Sequence, residues 1–341
     1  MGGLAFRLAF AGPKPPAAYR FFSQCGRLAA LMGRARLLWL LLPIAGLVEL
    51  ALFARDTRSA PRVEEWQALR AEVAQLKGPA DLLVIAPDWA DPIARYAFGD
   101  ALMPVRDLAR PDVSGYARAI EVDALGASAS ELEGWRVREE RSVGRFKIRV
   151  RENTKPVKVL FSFLEHAQPP FLEVGYGPRA NSEGEREDCL FTPRAPSSAG
   201  GLHGHLAFPR ERYVCGGGEQ FFVGVTILDD QAYRPRRCVW ADPRPGETLR
   251  LAFKGVPIGQ QIYGYAGLSY FIFRDGQHGP VTLSARVGGE DVGRYEHHDE
   301  SGWHGFAFDT RRFAGQTADV EFSVSSDDPY DRQFCFYADS R

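Results

Sequence analysis

The sequence predicts one transmembrane helix followed by an α+β ectodomain, in which a small α/β unit precedes an all-β sandwich of the jelly-roll type. Three observations lead to this prediction. Residues 37–54 form an apolar run, residues 80–152 mix buried-strand, helical and hairpin patterns, and residues 207–341 carry short alternating strands between turns.

Composition and charge are those of an ordinary globular chain, and they exclude one class of partner. Of the 341 residues, 45% are hydrophobic and 25% are charged, and the formal net charge is −1. A chain so close to neutrality has no overall attraction for nucleic acid. The high counts of Gly (35) and Phe (23) favour turns and strands.

The run Leu37–Ala54 consists of apolar and small residues apart from Pro43 and Glu49. At about 1.5 Å per residue, a helix of this length nearly spans the roughly 30 Å hydrocarbon core of a bilayer. We therefore expect an uncleaved signal-anchor that crosses the membrane once. A cleaved signal peptide is the alternative. If translation starts at Met32, the chain still begins with a complete signal sequence, and residues 1–31 are absent.

Residues 1–36 contain Arg and Lys but neither Asp nor Glu. The positive-inside rule places such a segment in the cytoplasm, so we expect the rest of the chain on the extracytoplasmic side of the cell inner membrane. Three prolines within residues 13–16 oppose helix formation. We therefore expect a disordered basic tail.

Residues 62–77 predict an amphipathic juxtamembrane helix. Its apolar residues recur every three or four positions and form one stripe: Val63, Trp66, Leu69, Val73 and Leu76. Gly78 and Pro79 end the helical pattern. The stripe either packs on the helix's own domain or pairs with a second chain as a dimerising stalk.

Residues 80–152 are predicted to form a small α/β domain. Asp81–Ala86 is a short apolar run typical of a buried strand, and Asp91–Phe98 begins with the Asp-Pro pair that starts many helices. Residues 87–91 lie between them, where an open α/β sheet places its ligand. Because no glycine-rich phosphate loop follows, nucleotide binding is not predicted.

Two further elements complete this domain. Ser114–Leu125 has Ser at a capping position and apolar residues at helical spacing, so we expect a helix there. Residues 135–151 alternate on both sides of Ser142–Gly144, which predicts a β-hairpin.

Residues 155–206 are predicted to be a connecting segment with one candidate strand, Val157–Leu164. From residue 207 onward, apolar or alternating runs recur at short intervals with Gly, Pro and Asp between them. These runs are Phe221–Leu228, Arg237–Trp240, Thr248–Phe253, Gly267–Phe273, Val281–Val287, Trp303–Phe308, Ala318–Val324 and Gln333–Tyr337. Such spacing is typical of a β-sandwich or jelly roll.

The last four runs resemble the second half of a galactose-binding-domain-like jelly roll. The pattern consists of Val281–Arg294 with its Gly pair, the Trp-led Gly302–Asp309, Ala318–Ser325 and the closing Phe334–Tyr337. The resemblance covers about residues 207–341 and implies carbohydrate binding through loops at one end, without assigning ligand residues.

The order of anchor, α/β unit and sandwich is also similar to that of extracytoplasmic tails of bacterial envelope proteins. Some of those tails are attached to glycosyltransferases with several membrane spans. This chain has only one predicted span, so the resemblance does not imply glycosyltransferase activity.

Four of the five cysteines follow the predicted anchor. An even number in an exported domain predicts two disulfides, and buried free thiols are the alternative. Cys189 and Cys215 bracket one polar loop. Cys238 and Cys335 fall in an early and in the last strand of the jelly roll, and such strands often lie side by side. We favour Cys189–Cys215 and Cys238–Cys335, one of three connectivities.

Two kinds of metal site are considered, and no other cofactor is expected. His203 and His205 lie two positions apart, so on a strand their imidazoles point to the same side. Surface histidines are the alternative, since no metal motif surrounds them. The acidic clusters Asp229–Asp230 and Asp327–Asp331 supply oxygens for a structural calcium ion, with solvated turns as the alternative.

Trp240, Tyr265 and Trp303 are the predicted ligand-binding residues, because aromatic rings stack on sugars; core packing is the alternative. No nucleophile elbow or comparable catalytic motif appears. We therefore expect a binding protein of the bacterial envelope that recognises a glycan or a protein partner, rather than an enzyme. The alternatives are an enzyme acting on envelope glycans or lipids between the two domains, and a structural subunit of a membrane complex.

Overall fold

The computed structural model describes residues 41–178, 184–196, 208–269, 279–298, 302–329 and 332–341. Backbone contacts divide the chain into two units, Met1–Pro61 and Arg62–Arg341. The predicted basic tail, residues 1–36, lies outside the described residues, as do residues 37–40 of the predicted transmembrane helix.

The described part of the first unit is one helix, α1 (Leu41–Ser59). Eight of its large apolar side chains are more than half exposed: Leu41, Leu42, Ile44, Leu47, Val48, Leu50, Leu52 and Phe53. Among the described residues, no helix combines the length and the apolar character needed to cross a membrane.

The second unit begins with α2 (Val63–Leu76) and continues with α3 (Asp91–Phe98) and the short α4 (Val105–Leu108). Its first strands are β1 Leu82–Ala86, β2 Arg118–Ala124, β3 Arg136–Val143, β4 Phe146–Glu152, β5 Phe161–Ser162, β6 Leu172–Pro178, β7 Glu187–Asp188, β8 Leu190–Thr192 and β9 Arg212–Val214. The remaining strands are β10 Phe222–Asp229, β11 Pro235–Ala241, β12 Glu247–Pro257, β13 Gln261–Leu268, β14 Val281–Val287, β15 Glu290–His297, β16 His304–Asp309, β17 Thr317–Ser326 and β18 Phe334–Ser340.

The α/β domain is built on a four-stranded mixed sheet of order β1-β2-β4-β3. β1 and β2 run parallel, whereas β4 is antiparallel to both of its neighbours. β3 and β4 form the hairpin that the alternating sequence predicts.

Helix α2 packs on this sheet through its apolar stripe. Trp66, Leu69 and Val73 are buried, and the Trp66 ring lies 4.6 Å from that of Phe146 and 6.0 Å from that of Phe98. The stripe is therefore used inside the domain, and the interpretation as a dimerising stalk is wrong.

The helix predicted at Ser114–Leu125 is a strand instead, the central strand β2. Both faces of β2 are buried, so its apolar residues do not alternate with exposed ones. Glu121 and Asp123 tolerate burial because Arg151 and Arg149 of β4 pair with them at 2.6 and 2.8 Å. These partners come from another strand, and residues 114–125 alone do not indicate them.

Two antiparallel sheets form the predicted β-sandwich. One has the order β16-β13-β18-β11-β10-β9-β8, with β5 beside β18, and the other has the order β15-β14-β17-β12-β6-β7. Their inner faces share one hydrophobic core. In it the Phe322 ring lies 4.9 Å from Phe163 and 5.3 Å from Phe336.

The sandwich begins earlier in the chain than predicted. β5 to β8 come from residues 155–206, the expected connecting segment, and β6 pairs with β12 and β7 inside a sheet. The candidate strand Val157–Leu164 is reduced to β5. The pattern of β6 is hidden by Gly175 and Gly177. A Cβ at Gly175 would lie 2.7 Å from the Glu187 carbonyl oxygen, so the strand needs glycine there.

The strand predicted at Gly267–Phe273 also lies earlier, at β13 (Gln261–Leu268), and residues 270–273 are outside the described ranges. Gly264 resembles a turn signal in the sequence. In the sheet, a Cβ at this position would lie 2.0 Å from the Tyr337 carbonyl oxygen. The glycine therefore permits close contact with β18 and does not mark a turn.

Both disulfides form with the favoured pairing, Cys189–Cys215 and Cys238–Cys335. The first joins the residue between β7 and β8 to the residue after β9. The second is fully buried and joins β11 to its neighbour β18, as expected for an early and the last strand of the sandwich.

One segment of the α/β domain, residues 109–114, docks on the sandwich, and we call it the docking segment. Five hydrogen bonds or ion pairs between described residues hold it: Arg237 N to Ala109 O at 2.7 Å, Arg236 Nη1 to Arg110 O at 3.0 Å, Trp303 Nε1 to Pro111 O at 3.1 Å, Arg341 to Asp112 at 3.0 Å, and Arg341 to Ser114 Oγ at 2.9 Å. The two domains therefore have a defined relative position.

The two disulfides differ in loop length, which predicts different effects on stability. Cys238–Cys335 spans 97 residues and Cys189–Cys215 spans 26. In the chain-entropy account a disulfide usually stabilises a protein by about 2–4 kcal/mol, and the stabilisation increases with loop length. The longer loop should contribute about 1 kcal/mol more than the shorter one. We expect the double Ala variant of Cys238 and Cys335 to lose more free energy of unfolding, measured by denaturant titration of the full chain in detergent.

The matched control is the double Ala variant of Cys189 and Cys215. An equal or larger loss in that control would contradict the loop-length explanation.

Candidate ligand-binding cleft

A cleft of about 420 Å³ opens between the α/β domain and the sandwich, next to the docking segment. We call it the interdomain cleft. One wall consists of residues 88–92 with Leu108, Arg110 and Glu131, and the other is the turn between β10 and β11. The clefts and loops where two domains meet are common places for ligand sites.

The first wall follows β1, at the position where the sequence predicts a ligand site. A short 3₁₀ turn, Asp88–Ala90, leads into α3, and the Trp89 backbone N–H donates to Asp88 Oδ1 at 3.1 Å. This turn leaves the Trp89 side chain 63% exposed at the cleft. A large exposed aromatic ring beside a concave site is available for ligand contact.

Asp91 is the first residue of α3 and lies in the cleft lining. The sequence suggested a capping role, but the cap residue is Ala90 and no side chain caps this helix. The Asp91 side chain is only 7% exposed, and its Oδ1 accepts no hydrogen bond from any described residue. Burial raises its pKa from 3.8 to about 7; Arg110 opposes the increase, and Glu131 and Asp88 add to it.

Arg110 and Glu131 form an ion pair beside Asp91. Arg110 Nε donates to Glu131 Oε1 at 2.8 Å, and the Arg110 side chain is 6% exposed. Arg110 also donates to the Asp107 carbonyl oxygen. With these partners in place, the guanidinium is fixed, and most of its charge is balanced by Glu131.

The second wall is a tight turn between β10 and β11 that presents Tyr233. Tyr233 has φ 59°, in the left-handed region, and its side chain is 72% exposed. Buried Asp230 holds this turn, because its carboxylate accepts from Ala232 N at 2.8 Å, Arg234 N at 3.0 Å and Arg236 Nε at 2.9 Å. The strained backbone is thereby stabilised, and the ring has a defined position.

Two contacts join the walls. Arg234 pairs with Asp88 at 2.5 Å, and Arg236 Nη1 donates to the Arg110 carbonyl oxygen at 3.0 Å. These bonds, together with the docking segment, fix the distance between the aromatic residues of the two walls. The cleft is therefore largely formed before a ligand arrives.

The arrangement suits a polar ligand that also has an apolar face. Trp89 and Tyr233 provide ring surfaces, while Asp88, Asp91 and Glu131 provide carboxylate oxygens at the same cleft. Sugars have this combination, since C–H groups cover one face of the ring and hydroxyl groups surround it. The geometry thus supports binding of a hydroxylated ligand better than binding of a purely apolar one.

A larger cavity of about 820 Å³ lies on the sandwich, near Ile258, Asp309 and Arg311. Among the described residues that line it, none is aromatic, and Asp309 is ion-paired with Arg311. It lacks the combination of exposed rings and an unpaired buried carboxylate oxygen. We therefore place the candidate site in the smaller interdomain cleft.

The three predicted ligand-binding aromatics lie elsewhere. Trp240 is fully buried, stacks 5.7 Å from Phe222 and donates from Nε1 to the Gln220 carbonyl oxygen at 2.9 Å, so it belongs to the core. Tyr265 and Trp303 are half-buried and stack on each other at 6.3 Å. Trp303 is engaged by the docking segment, so its main contact is between domains.

The predicted metal sites are not assigned. His203 and His205 lie outside the described residues, as does Asp331 of the second acidic cluster. Within the described ranges, no group of three or more His, Cys, Asp or Glu side chains is placed to hold a metal ion. The histidine site and a structural calcium ion stay predictions.

Sequence reasoning located half of the cleft and missed the other half. Residues 87–91 carry a usable signal, because they follow the first strand of an α/β sheet. Tyr233 carries a weaker one, an aromatic residue in a polar turn between two predicted strands. Nothing in the sequence indicates that this turn meets Asp88 and Arg110.

The raised pKa of Asp91 predicts a stability gain on substitution. The folded-state pKa, about 7, exceeds the ordinary 3.8, so the wild type loses stability as the pH rises through this interval. Asn does not ionise, so the advantage of Asp91→Asn over the wild type should grow by about 2–3 kcal/mol between pH 5 and pH 8, because about two pH units of this interval are titrated at about 1.4 kcal/mol each. Denaturant titrations of the full chain in detergent at both pH values measure it.

The matched control is Asp100→Asn, which removes an exposed carboxylate at the other end of α3. The advantage of Asp91→Asn should grow more between the two pH values than that of Asp100→Asn, because burial is what raises the pKa of Asp91. An Asp91→Asn advantage that is independent of pH would contradict the assigned pKa.

Comparisons with known proteins identify no family for this chain, and no curated protein matches it by sequence. The CBM51-2 and INT domains of Clostridium perfringens ZmpB are 9% identical over 34% of this chain and 25% of that chain, with a TM-score of 0.23.

Two further solved structures are similar over about a third of the chain. TmCBM27, a carbohydrate-binding module with specific mannan recognition, is 14% identical over 36% of this chain and 84% of its own, with a TM-score of 0.24. The CBM36-1 domain of a multidomain xylanase from the hindgut metagenome of Trinervitermes trinervoides is 15% identical over 36% and 83%, with a TM-score of 0.21. At these TM-scores the similarities carry no functional argument.

Proposed function

We propose that this chain is a membrane-anchored, extracytoplasmic glycan-binding protein of the bacterial envelope, and that the interdomain cleft is its binding site. The observation that carries the proposal is the pair of exposed rings, Trp89 and Tyr233, on opposite walls of a preformed cleft lined with carboxylates. Single exposed aromatic residues are common on protein surfaces, but two that line the same cleft provide ring surfaces on which a sugar can stack. A protein partner with exposed polar side chains is the alternative ligand.

Two observations support the proposed location. The domain contains two disulfides, which persist in oxidising compartments outside the cytoplasm. The exposed apolar side chains of α1 continue the apolar sequence of residues 37–40, and the preceding residues are basic without acidic ones.

A second candidate function is hydrolysis of a glycan bound in the same cleft, and Asp91 is the observation that favours it. A carboxyl group with a pKa of about 7 exchanges protons readily at neutral pH, as a general acid must. Glu131 lies at the same cleft but is ion-paired with Arg110. The glycan experiment below therefore also measures released products, and release that Asp91→Asn abolishes would favour the enzyme.

Replacing either exposed ring should weaken glycan binding without unfolding the protein. We expect Trp89→Ala and Tyr233→Ala each to reduce affinity at least tenfold for the tightest ligand on an array of neutral, acidic and amino glycans. Aromatic residues at the centre of an interface typically cost about 2 kcal/mol or more when truncated. Isothermal titration with the full chain in detergent provides the affinities.

The matched control is Tyr96→Ala on α3, since Tyr96 is 75% exposed but does not line the cleft. It should bind like the wild type. If no glycan of the array binds the wild type, or if the cleft variants bind as tightly as the control, the proposed site is wrong.

Membrane anchoring through α1 is tested separately. We expect the wild type to stay with membranes after alkaline carbonate extraction, and its domain from residue 62 onward to be digested by protease added to intact spheroplasts. The double variant Leu47→Arg/Leu50→Arg should be released, because each Arg costs about 2.5–3.5 kcal/mol in the bilayer centre.

The control is Gln67→Arg/Ala71→Arg, which adds the same charges to the exposed face of α2. Release of the wild type by carbonate, or protection of its domain from the protease, would contradict the proposed topology.

A further inference from the structure

The cations that line the interdomain cleft are already paired with carboxylates. Arg110 pairs with Glu131, Arg234 with Asp88, and Arg236 with buried Asp230. A negatively charged ligand would have to break one of these pairs to gain a guanidinium partner. The cleft is therefore poorly suited to acidic sugars or phosphates.

Two carboxylates of the lining, Asp91 and Asp229, have no such partner among the described residues, and of the two only Asp91 is buried. The Asp91 side chain is 7% exposed and accepts no hydrogen bond from a described residue. Its Oδ1 is enclosed by protein, so a ligand can reach only Oδ2. Removing a carboxylate from water is unfavourable unless a hydrogen-bond donor of the protein or of a ligand replaces the water. A ligand that brings an N–H donor with positive charge would restore both the hydrogen bond and the charge balance.

The remaining lining favours the same ligand charge. The lining residues include four carboxyl groups, Asp88, Asp91, Glu131 and Asp229, and three guanidiniums. Because Arg236 is already balanced by Asp230 outside the lining, the lining is net negative, and more so once Asp91 ionises. The aromatic faces of Trp89 and Tyr233 also attract cations. These groups surround Asp91 from both walls, and together they favour a cation over a neutral group of the same size.

We propose that the cleft selects glycans that carry a free amino group, such as de-N-acetylated hexosamines, and that Asp91 binds the amino nitrogen. This inference rests on the glycan-binding role proposed above. The sugar ring lies between Trp89 and Tyr233, and its amino group donates to Asp91 Oδ2, because Oδ1 is enclosed by protein. An N-acetyl group supplies one neutral N–H and an additional methyl group, so it satisfies the carboxylate less well.

The experiment compares two probes, a glucosamine tetrasaccharide and its fully N-acetylated counterpart, by isothermal titration at pH 7 with the full chain in detergent. At this pH a substantial part of Asp91 is ionised. We expect the wild type to bind the free-amine probe at least tenfold more tightly. In Asp91→Asn, a substitution that keeps the shape of the side chain, this preference should fall to about twofold or less.

Asp229→Asn is the matched control, because it removes an exposed charge from the same lining without touching Asp91. It should keep most of the preference, which separates direct pairing from the general negative field. Thermal unfolding of each variant checks that the fold is intact.

The outcomes separate this inference from the proposed function. Equal affinity of the wild type for both probes, or a preference that survives in Asp91→Asn, overturns the amino-group inference but leaves glycan binding standing. Absence of binding to both probes and to every other glycan of the array overturns the proposed function itself.

Discussion

The interdomain cleft depends on the docking of residues 109–114 against the sandwich. The peptide groups of this segment accept hydrogen bonds from Arg237 and Trp303, and Arg341 pairs with Asp112 at 3.0 Å. Arg341 is itself buried, and its guanidinium stacks 4.0 Å from the Tyr263 ring. Without these contacts, the turn after β1 and the turn between β10 and β11 would belong to two independent domains, and no preformed cleft would exist between them.

Asp91 lowers the stability of the folded protein, and interactions elsewhere in the fold must offset this loss. A buried carboxyl group with an unsatisfied oxygen is unfavourable in the free protein, and its raised pKa measures that cost. Binding sites often keep such groups because a ligand satisfies them. Buried charges elsewhere in the α/β domain are treated differently: Glu121 and Asp123 have arginine partners across the sheet.

The sequence predicts local structure well and long-range contacts poorly, and particular elements show why. Helix α2 and the β3–β4 hairpin are recovered because their periodicity reports one buried face. β2 is mistaken for a helix because both of its faces are buried, and β6 is missed because two glycines interrupt it. The Cys238–Cys335 pairing follows from strand order, and the Cys189–Cys215 pairing from the loop that these two residues bracket. Trp240 has the residue type expected at a sugar site but is buried in the core, whereas Tyr233 is presented by a turn whose neighbours come from another domain.

The turn between β10 and β11, which Asp230 stabilises, limits how far the interdomain cleft can open. A tyrosine at φ 59° is strained, and three hydrogen bonds to one buried carboxylate compensate for that strain. Because Arg234 pairs with Asp88, the turn that carries Tyr233 cannot move away from the turn that carries Trp89 without breaking an ion pair. In the proposed function, a cleft bounded by two fixed turns admits a flat ring, and the Asp91 carboxylate then distinguishes among ligands of that shape by their charge.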